Sequence, residues 1–477
     1  MIPGQFFGKT KNRRVVCQVL KQKRGKMGIM LLLAAALFAG CTPAAMYNGG
    51  KSTQTDAAAW QDSLETAPVL DYEVPLVLPG ILINQIGYEP SSFKMAVVSG
   101  KSTPGQFRIV DAVTGEVVFT GALEEQGYEK ETEEYNSYGD FSAFTKEGTY
   151  YIECDTLGRS YTFEIKEKLY DELLEASIAL LSEKRESFAK EDIKDVCRAV
   201  SVLLLSYELY GTVYDSKAAD KEEPPVITEI KACVDWLMTM QDAETGAVMD
   251  GETPKAEETA WLSAVLAKFS YTYQKYDSVY ATVCLQAADK AWHFLDKNVD
   301  AILKELTFYA AAELYRATGQ YKYHQAVKNL GAGLMADVSN EAFVFGTLTY
   351  ASTRRKVDVD MCAELTSLLF TEAESIAQAA GDSFYMVGSD IYTESTGDIL
   401  WDMVVVSSID YIITNHEYAT MIENHQNYLA GENEAALCYI TDPRGDNAAK
   451  AGIGEDCVST ARYIMLLSEI MSHRQEE

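Results

Sequence analysis

The sequence has few histidines, five among 477 residues, and it lacks the short motifs that commonly hold a metal ion or a nucleotide. It contains no CxxC pair, no HExxH helix and no glycine-rich phosphate loop. We therefore predict no metal ion and no organic cofactor. The histidines are interpreted as surface or structural residues: His293, His324, His416 and His425 in helical segments, and His473 in the C-terminal tail.

Basic residues are also scarce, with 41 Lys and Arg against 71 Asp and Glu, for a net charge of −30. Residues 1–40 hold eight of the basic residues and no acidic one, so the chain from Cys41 onward carries 33 minus 71, or −38. An acidic surface of this kind repels phosphate backbones. We therefore expect no nucleic-acid partner.

The N-terminal hydrophobic run, residues 27–39, is too short to span a bilayer but has the length of a signal-peptide core, and basic residues precede it. The run closes with Phe38-Ala39-Gly40-Cys41, which resembles a bacterial lipoprotein signal. We predict a signal peptide at 1–40, lipidation of Cys41, anchorage to the bacterial membrane outside the cytoplasm, and a flexible tether at 41–79. An ordinary cleaved signal or an uncleaved short anchor is the alternative.

Seven cysteines follow Cys41, an odd number, far apart and mostly within apolar helical patterns. This distribution indicates buried thiols rather than a disulfide framework or a zinc site. They are Cys154, Cys197, Cys233, Cys284, Cys362, Cys438 and Cys457.

Two kinds of periodicity divide the remainder of the chain. Between residues 80 and 168, six short strand-like runs separated by turn sequences predict a β-sandwich. The runs are 81–86, 94–98, 107–110, 116–120, 150–154 and 161–165. From 169 to 477 the apolar residues keep helical spacing in about twelve segments, and paired antiparallel helices of that number can close into an α/α toroid.

Several motifs in order resemble family 9 glycoside hydrolases, the cellulases. Two motifs resemble the immunoglobulin-like domain that precedes the catalytic module of these enzymes: residues 83–88 (I-N-Q-I-G-Y) and 148–152 (G-T-Y-Y-I). Three others resemble the catalytic module itself: residues 235–242 (D-W-L-M-T-M-Q-D), 310–319 (A-A-A-E-L-Y-R-A-T-G) and 428–433 (Y-L-A-G-E-N). The resemblance implies an immunoglobulin-like β-sandwich at 80–168, an (α/α)6 toroid at 169–477, and β-glucan or another oligosaccharide as the partner.

Family 9 enzymes are inverting glycosidases, which need two carboxyl groups roughly 6.5–9.5 Å apart, one as acid and one as base. The family's acid, the Glu of N-E-V-A-I-x-W-N-A, falls on Glu455. The apolar spacing of Val458, Ala461 and Met465 also predicts a helix that begins near Glu455 and directs it toward a cleft. The helix dipole alone would explain an acid there equally well.

The family's base motif, D-A-G-D, has no counterpart near residues 187–192. Glu191, Asp192 and Asp195 are candidates to replace it, but they are interpreted as a solvated helix start with Asp192 as N-cap. Asp242 and Asp250 are further, equally weak, candidates. Since a positioned acid or base contributes about 10²–10⁴-fold, loss of the base predicts weak or lost hydrolysis.

The sugar-binding loops of the family are altered as well. The H-P-H-H-R loop corresponds to residues 442–447 (D-P-R-G-D-N), which keep Arg444, and W-G-S-N corresponds to 394–397 (E-S-T-G). Trp401, Tyr439 and Arg444 are the predicted substrate-binding residues. We predict a glucan-binding pseudoenzyme; the alternatives are an active inverting β-1,4-endoglucanase that uses Glu455 and an unrecognised base, and a purely structural toroid.

Overall fold

The computed structural model describes residues 79–476, apart from 189–191, 219–221, 298–302, 333, 335–336, 392–393, 415 and 441–452. The predicted signal peptide, Cys41, most of the tether, Glu191 and Arg444 therefore lie outside the described residues. The described residues belong to one compact unit that extends from Leu76 to the C-terminus.

The N-terminal part is an antiparallel β-sandwich of two four-stranded sheets. Its strands are β1 (Ile81–Leu82), β2 (Met95–Gly100), β3 (Gln106–Asp111), β4 (Val117–Ala122), β5 (Glu124–Glu129), β6 (Glu134–Asp140), β7 (Gly148–Cys154) and β8 (Gly158–Ile165). The strand orders are β1-β2-β6-β5 and β4-β3-β7-β8. Aromatic residues such as Phe107, Phe141, Tyr150 and Phe163 fill the space between the sheets. The immunoglobulin-like sandwich predicted from the sequence is confirmed.

Strands β5 and β6 were not predicted. The β5 sequence, E-E-Q-G-Y-E, is acidic, lies at the edge of its sheet and is mostly exposed, so it carries no alternation of apolar residues. Its pairing with β6 is set by backbone hydrogen bonds and a register shift between Glu125 and Gly127, which the sequence pattern does not reveal.

Twelve helices follow in the part of the chain that the structure describes, as expected from the period of the apolar residues. They are α1 (Leu169–Phe188), α2 (Ile193–Asp215), α3 (Pro225–Thr239), α4 (Ala256–Tyr273), α5 (Ser278–Lys297), α6 (Lys304–Thr318), α7 (Tyr321–Gly331), α8 (Glu341–Ser352), α9 (Val359–Asp382), α10 (Thr396–Ile413), α11 (Ala419–Leu429) and α12 (Cys457–Glu476). A short hairpin, β9 (Val248–Asp250) and β10 (Thr253–Lys255), joins α3 to α4.

The even-numbered helices form the inner ring of the toroid and the odd-numbered ones the outer ring. In α8, every residue from Glu341 to Tyr350 is buried, as expected for a helix surrounded by protein. In α9, by contrast, the buried residues Leu365, Leu369 and Ala373 form a single stripe of helical spacing, so one face remains in solvent. The inner helices are surrounded by protein and the outer helices each bury one face against them, which is the (α/α)6 architecture predicted above.

The sandwich docks on the toroid through the stretch that carries the I-N-Q-I-G-Y motif. The Gln85 amide N–H donates to the Ala430 carbonyl at 3.0 Å, and its side chain donates to the Ala436 carbonyl at 2.8 Å. Asn84 donates to the Asn427 side chain at 2.9 Å. Gly431 has a φ of +125°, and a Cβ there would overlap the Gln85 amide. Two of the recognised motifs are thus direct contact partners.

The seven cysteines of the described residues are thiols, and none of them forms a disulfide. Five of them are buried, and Cys233 and Cys362 are partly buried. Burial raises the pKa of the Cys154 and Cys284 thiols to about 11 in each case, which keeps them protonated and unreactive at neutral pH.

Candidate functional site

A cleft of about 450 Å³ lies at the end of the toroid where inner helices begin. Its lining consists of Asp195 and Arg198 of α2, Ser339 and Glu341 at the start of α8, Ser395, Gly397, Asp398 and Trp401 at the start of α10, and Asp456, Val458, Ser459 and Arg462 at the start of α12. A second hollow of about 360 Å³ shares four of these residues and extends the cleft toward Glu257 and Trp261 of α4. Together the two hollows make a polar groove across one end of the toroid.

The floor of the cleft is an ion-pair network centred on Glu341. Arg198 donates from Nε to one Glu341 oxygen at 2.8 Å, and Arg462 pairs with the other oxygen. Arg462 also donates to the Gly397 carbonyl at 2.6 Å, and Arg198 bonds to Asp195 at 2.8 Å. The hydrogen bonds that Arg198 donates to Glu341 raise the pKa of the Arg198 guanidinium.

Three other carboxylates that line the groove cap helix starts. Ser395 and Asp398 form a capping box at the start of α10, and hydrogen bonds from the Ser395 backbone and side chain lower the pKa of Asp398. Asp456 caps α12 by accepting from the Ser459 amide at 2.8 Å. Asp192 caps α2 by accepting from the Lys194 amide at 3.1 Å, which confirms its predicted role as N-cap.

Glu455 lies two residues before α12, and its side chain is exposed. The neighbouring residue, Asp456, is the one that lines the cleft, because its role as N-cap turns its carboxylate toward the first turn of the helix. The helix predicted after Glu455 is therefore present, but it begins at Cys457. The assignment of Glu455 as a general acid stays a prediction.

Trp401 lines the cleft but is only 7 % exposed. Its indole N–H donates to the Val338 carbonyl at 3.0 Å, and the Arg462 guanidinium lies 5.2 Å from its ring centroid. Phe345 packs edge-on against it at 5.7 Å. These contacts fix the ring in the wall of the cleft and leave little of it for stacking on a sugar.

Tyr439 is half-buried and is not among the described residues that line the groove. Its backbone bonds to Leu429 and Ile453 instead. Among the other proposed bases, Asp242 accepts hydrogen bonds within its own turn from the Glu244 and Thr245 amides, and Asp250 pairs with Lys255 in the β9–β10 hairpin. Neither belongs to the described lining of the groove.

The residues predicted for the site did not include Arg198, Glu341 or Arg462. Two signals were present: Asn340-Glu341 reads as a cap followed by an acid in the first helical turn, and Arg462 follows Glu455 by seven positions in the same stretch. Their meeting at one point depends on three helices distant in sequence, which no local pattern reports.

Residues 78–159 match the cellulase N-terminal ig-like domain, and residues 196–451 match glycosyl hydrolase family 9. A cellodextrinase from Butyrivibrio fibrisolvens is 25% identical over 474 residues, covering 78% of this chain and 86% of the relative. A xyloglucan-specific endo-beta-1,4-glucanase from Bacteroides ovatus is 22% identical over 476 residues, covering 76% of this chain and 80% of the relative.

Solved structures share the fold. A metagenome-derived glycoside hydrolase family 9 endoglucanase superposes with a TM-score of 0.69 at 19% identity, covering 82% of this chain and 99% of that chain. A family 9 structure from Bacteroides ovatus superposes with a TM-score of 0.67 at 18% identity, covering 82% of this chain and 98% of that chain. Because the family model spans more than half of the 477 residues, this chain belongs to glycosyl hydrolase family 9.

Proposed function

We propose that this protein is an exported, lipid-anchored member of family 9 that binds β-glucan chains in the groove and hydrolyses them weakly or not at all. The substrate class rests on the relatives, which are named a cellodextrinase and a xyloglucan-specific endo-beta-1,4-glucanase. The groove is open, polar and located where five inner helices begin, which suits an extended oligosaccharide.

One observation carries the second half of the proposal: the four carboxylates that line the 450 Å³ cleft are already used. In the adjoining hollow, Glu257 lies 3.6 Å from Lys194 and its side chain is 48% exposed. Glu341 pairs with two arginines, Asp195 with one of them, and Asp398 and Asp456 cap helices. Inverting hydrolysis needs a pair of carboxyl groups, one of which stays protonated until it meets the leaving oxygen. Carboxylates committed to arginines and amide groups are poor candidates for either role.

Binding in the groove is tested with a steric variant. Ser459→Trp places an indole in the first turn of α12, where the side chain lines the cleft, without removing the ion-pair network. Ser278→Trp, at the exposed start of α5, is the matched control. Calorimetric titration with cello- and xyloglucan-oligosaccharides should show binding to the wild type and to the control, and at least tenfold weaker binding to Ser459→Trp. Equal binding by all three proteins would exclude the groove as the glycan site.

The lipid anchor is tested separately. Cys41→Ala should move the protein from the membrane fraction of the producing bacterium to the soluble exported fraction, because the lipidated residue is removed. Retention of the variant in the membrane would favour an uncleaved hydrophobic anchor instead.

An active inverting β-1,4-glucanase is the second candidate, because the named relatives are hydrolases and Glu455 adjoins the cleft residue Asp456. In that case Glu455→Gln would abolish the release of reducing ends from soluble β-glucan.

A further inference from the structure

A cluster of two histidines and an aspartate lies at the opposite end of the inner helices from the groove. Asp410 is in the last turn of α10 and is fully buried. Its Oδ2 lies 3.0 Å from Nδ1 of His416 and 3.2 Å from Nε2 of His473. Asp410 follows the cleft residue Asp398 by twelve positions on one helix, which places the cluster about 18 Å from the cleft.

The positions of these histidines differ from the expectation. His416 lies in the turn between α10 and α11 rather than in a helix, and His473 lies within α12 rather than in a tail. Both imidazole rings therefore face one carboxylate oxygen, with their centroids 4.3 Å apart. Imidazole nitrogens are common ligands of transition-metal ions.

A fourth group is directed at the same place. Glu469, one helical turn before His473, is 1 % exposed, and its Oε1 lies 3.7 Å from His473 Nε2. Its Oε2 makes no hydrogen bond to any described residue, although the hydroxyls of Tyr210 and Ser407 lie beside the carboxyl group. A buried carboxyl oxygen without a hydrogen-bond partner is rare in proteins, and a bound cation is one group that would supply the missing contact.

We propose that Asp410, His416, His473 and Glu469 form a binding site for a divalent transition-metal ion, with Zn²⁺ as the best match. Two imidazole nitrogens and two carboxylate oxygens are a suitable donor set for Zn²⁺, and hard cations such as Ca²⁺ prefer oxygen ligands alone. The ion would join the end of α10, the turn after it and the end of α12.

The distances agree with that assignment. Two ligands at 2.0–2.2 Å from a tetrahedral Zn²⁺ lie about 3.3–3.6 Å apart, so the 3.0 and 3.2 Å separations of Asp410 from the two imidazoles, which are hydrogen-bond distances without an ion, require shifts of only a few tenths of an ångström. Glu469 lies 3.7 Å from His473 but outside the group of three whose ligand atoms are mutually close, so its carboxyl group must turn further to complete the site. The ligand atoms of Asp410, His416 and His473 all lie within 4.8 Å of one another. The other Asp410 oxygen accepts from the Tyr418 amide at 3.0 Å, a bond that orients the carboxylate as outer partners of metal ligands commonly do.

The test uses the whole protein, stripped with a chelator and kept under reducing conditions, with Co²⁺ as a spectroscopic probe and Zn²⁺ as its competitor. We expect one equivalent of Co²⁺ per chain, visible bands without the charge-transfer absorption of thiolate ligands, and displacement by Zn²⁺. The absence of the charge-transfer absorption separates this site from binding by the cysteine thiols.

Three conservative variants locate the site: His416→Gln, His473→Gln and Glu469→Gln should each weaken metal binding at least about tenfold. His293→Gln, which alters an exposed histidine on α5, is the control and should bind as the wild type does. Circular dichroism of the metal-free proteins shows that each variant is folded.

A second readout does not depend on the variants. Zn²⁺ should raise the Tm of the wild type in a concentration-dependent way, and Mg²⁺ should not. The proposal is overturned if the wild type takes up no stoichiometric metal at sub-millimolar concentration, if the bound Co²⁺ shows thiolate absorption, or if the variants bind as tightly as the wild type.

Discussion

At the scale of single residues, the cleft is organised by one buried carboxylate and two guanidinium groups. Glu341 is 8 % exposed and Arg462 is 6 % exposed, so neither charge is well solvated and each depends on the other. A buried ion pair of this kind adds little net stability, but the removal of one partner is expensive because an uncompensated charge remains. We therefore interpret the network as a structural feature that holds the floor of the cleft in place, and not as a catalytic group.

Glu341→Gln should lower the free energy of unfolding by about 2–4 kcal/mol, because Arg198 and Arg462 then face each other without a negative charge between them. The measurement is denaturant unfolding at neutral pH. Asp250→Asn breaks the exposed pair with Lys255 and is the control, with an expected change under about 1 kcal/mol. Equal effects of the two substitutions would contradict the role given to Glu341.

Asp402, one turn after Asp398 on α10, provides a pH test. Burial raises its pKa to about 7, and the carboxylates of Glu394 and Glu372 act in the same direction against a hydrogen bond from Ser389. The folded protein therefore keeps this proton up to about pH 7, whereas the unfolded chain releases it near 3.8. Stability must fall as the pH rises between these values, since the native state binds more protons.

The free energy of unfolding of Asp402→Asn should thus equal that of the wild type near pH 4 and exceed it by about 1–2 kcal/mol at pH 8. Denaturant unfolding at both pH values measures the difference. Asp398→Asn is the control of opposite sign: its capping hydrogen bonds lower the pKa of Asp398, so the variant should be less stable than the wild type at pH 8 and similar to it at low pH. A pH-independent difference for Asp402→Asn would show that Asp402 is ionised throughout.

At the scale of elements, the sequence predicted well what local periodicity determines. The helical spacing of Leu365, Leu369 and Ala373 is visible in the sequence and corresponds to the buried stripe of α9, and Asp192 was predicted as a cap. Strand β5 could not be predicted, because its exposed acidic sequence carries no alternation. The cluster of Asp410, His416 and His473 could not be predicted for a related reason, since the turn after α10 and the end of α12 meet only through tertiary packing.

Gly431→Ala tests the contact between the sandwich and the toroid. The φ of +125° strains any residue with a side chain, and the added Cβ displaces Gln85 from its hydrogen bonds to Ala430 and Ala436. Unfolding by denaturant should show a loss of about 1–3 kcal/mol. Gly381→Ala, in an exposed and open position of α9, should be neutral or slightly stabilising. A neutral result at Gly431 would mean that the Gln85 contact is dispensable.

At the scale of the whole molecule, recognition of the family predicted the order of the two parts and their architecture. It could not predict the cleft, because Arg198, Glu341 and Arg462 come from three helices, and only Arg462 lies in a stretch compared with a family motif. The catalytic assignment remains dependent on Glu455, whose exposed side chain precedes α12 and whose neighbour Asp456 occupies the cleft wall. Membership of the family therefore predicts the fold of this chain but does not establish its catalytic residues.

The release of reducing ends from soluble β-glucan, measured beside an active family 9 cellodextrinase at equal concentration, tests the central claim most directly. We predict a rate at least about 10²-fold below that of the active enzyme, the factor that one missing acid–base group accounts for, and no further loss in Glu455→Gln. A rate comparable to that of the active enzyme, abolished by Glu455→Gln, would contradict the account and establish a working inverting glycosidase.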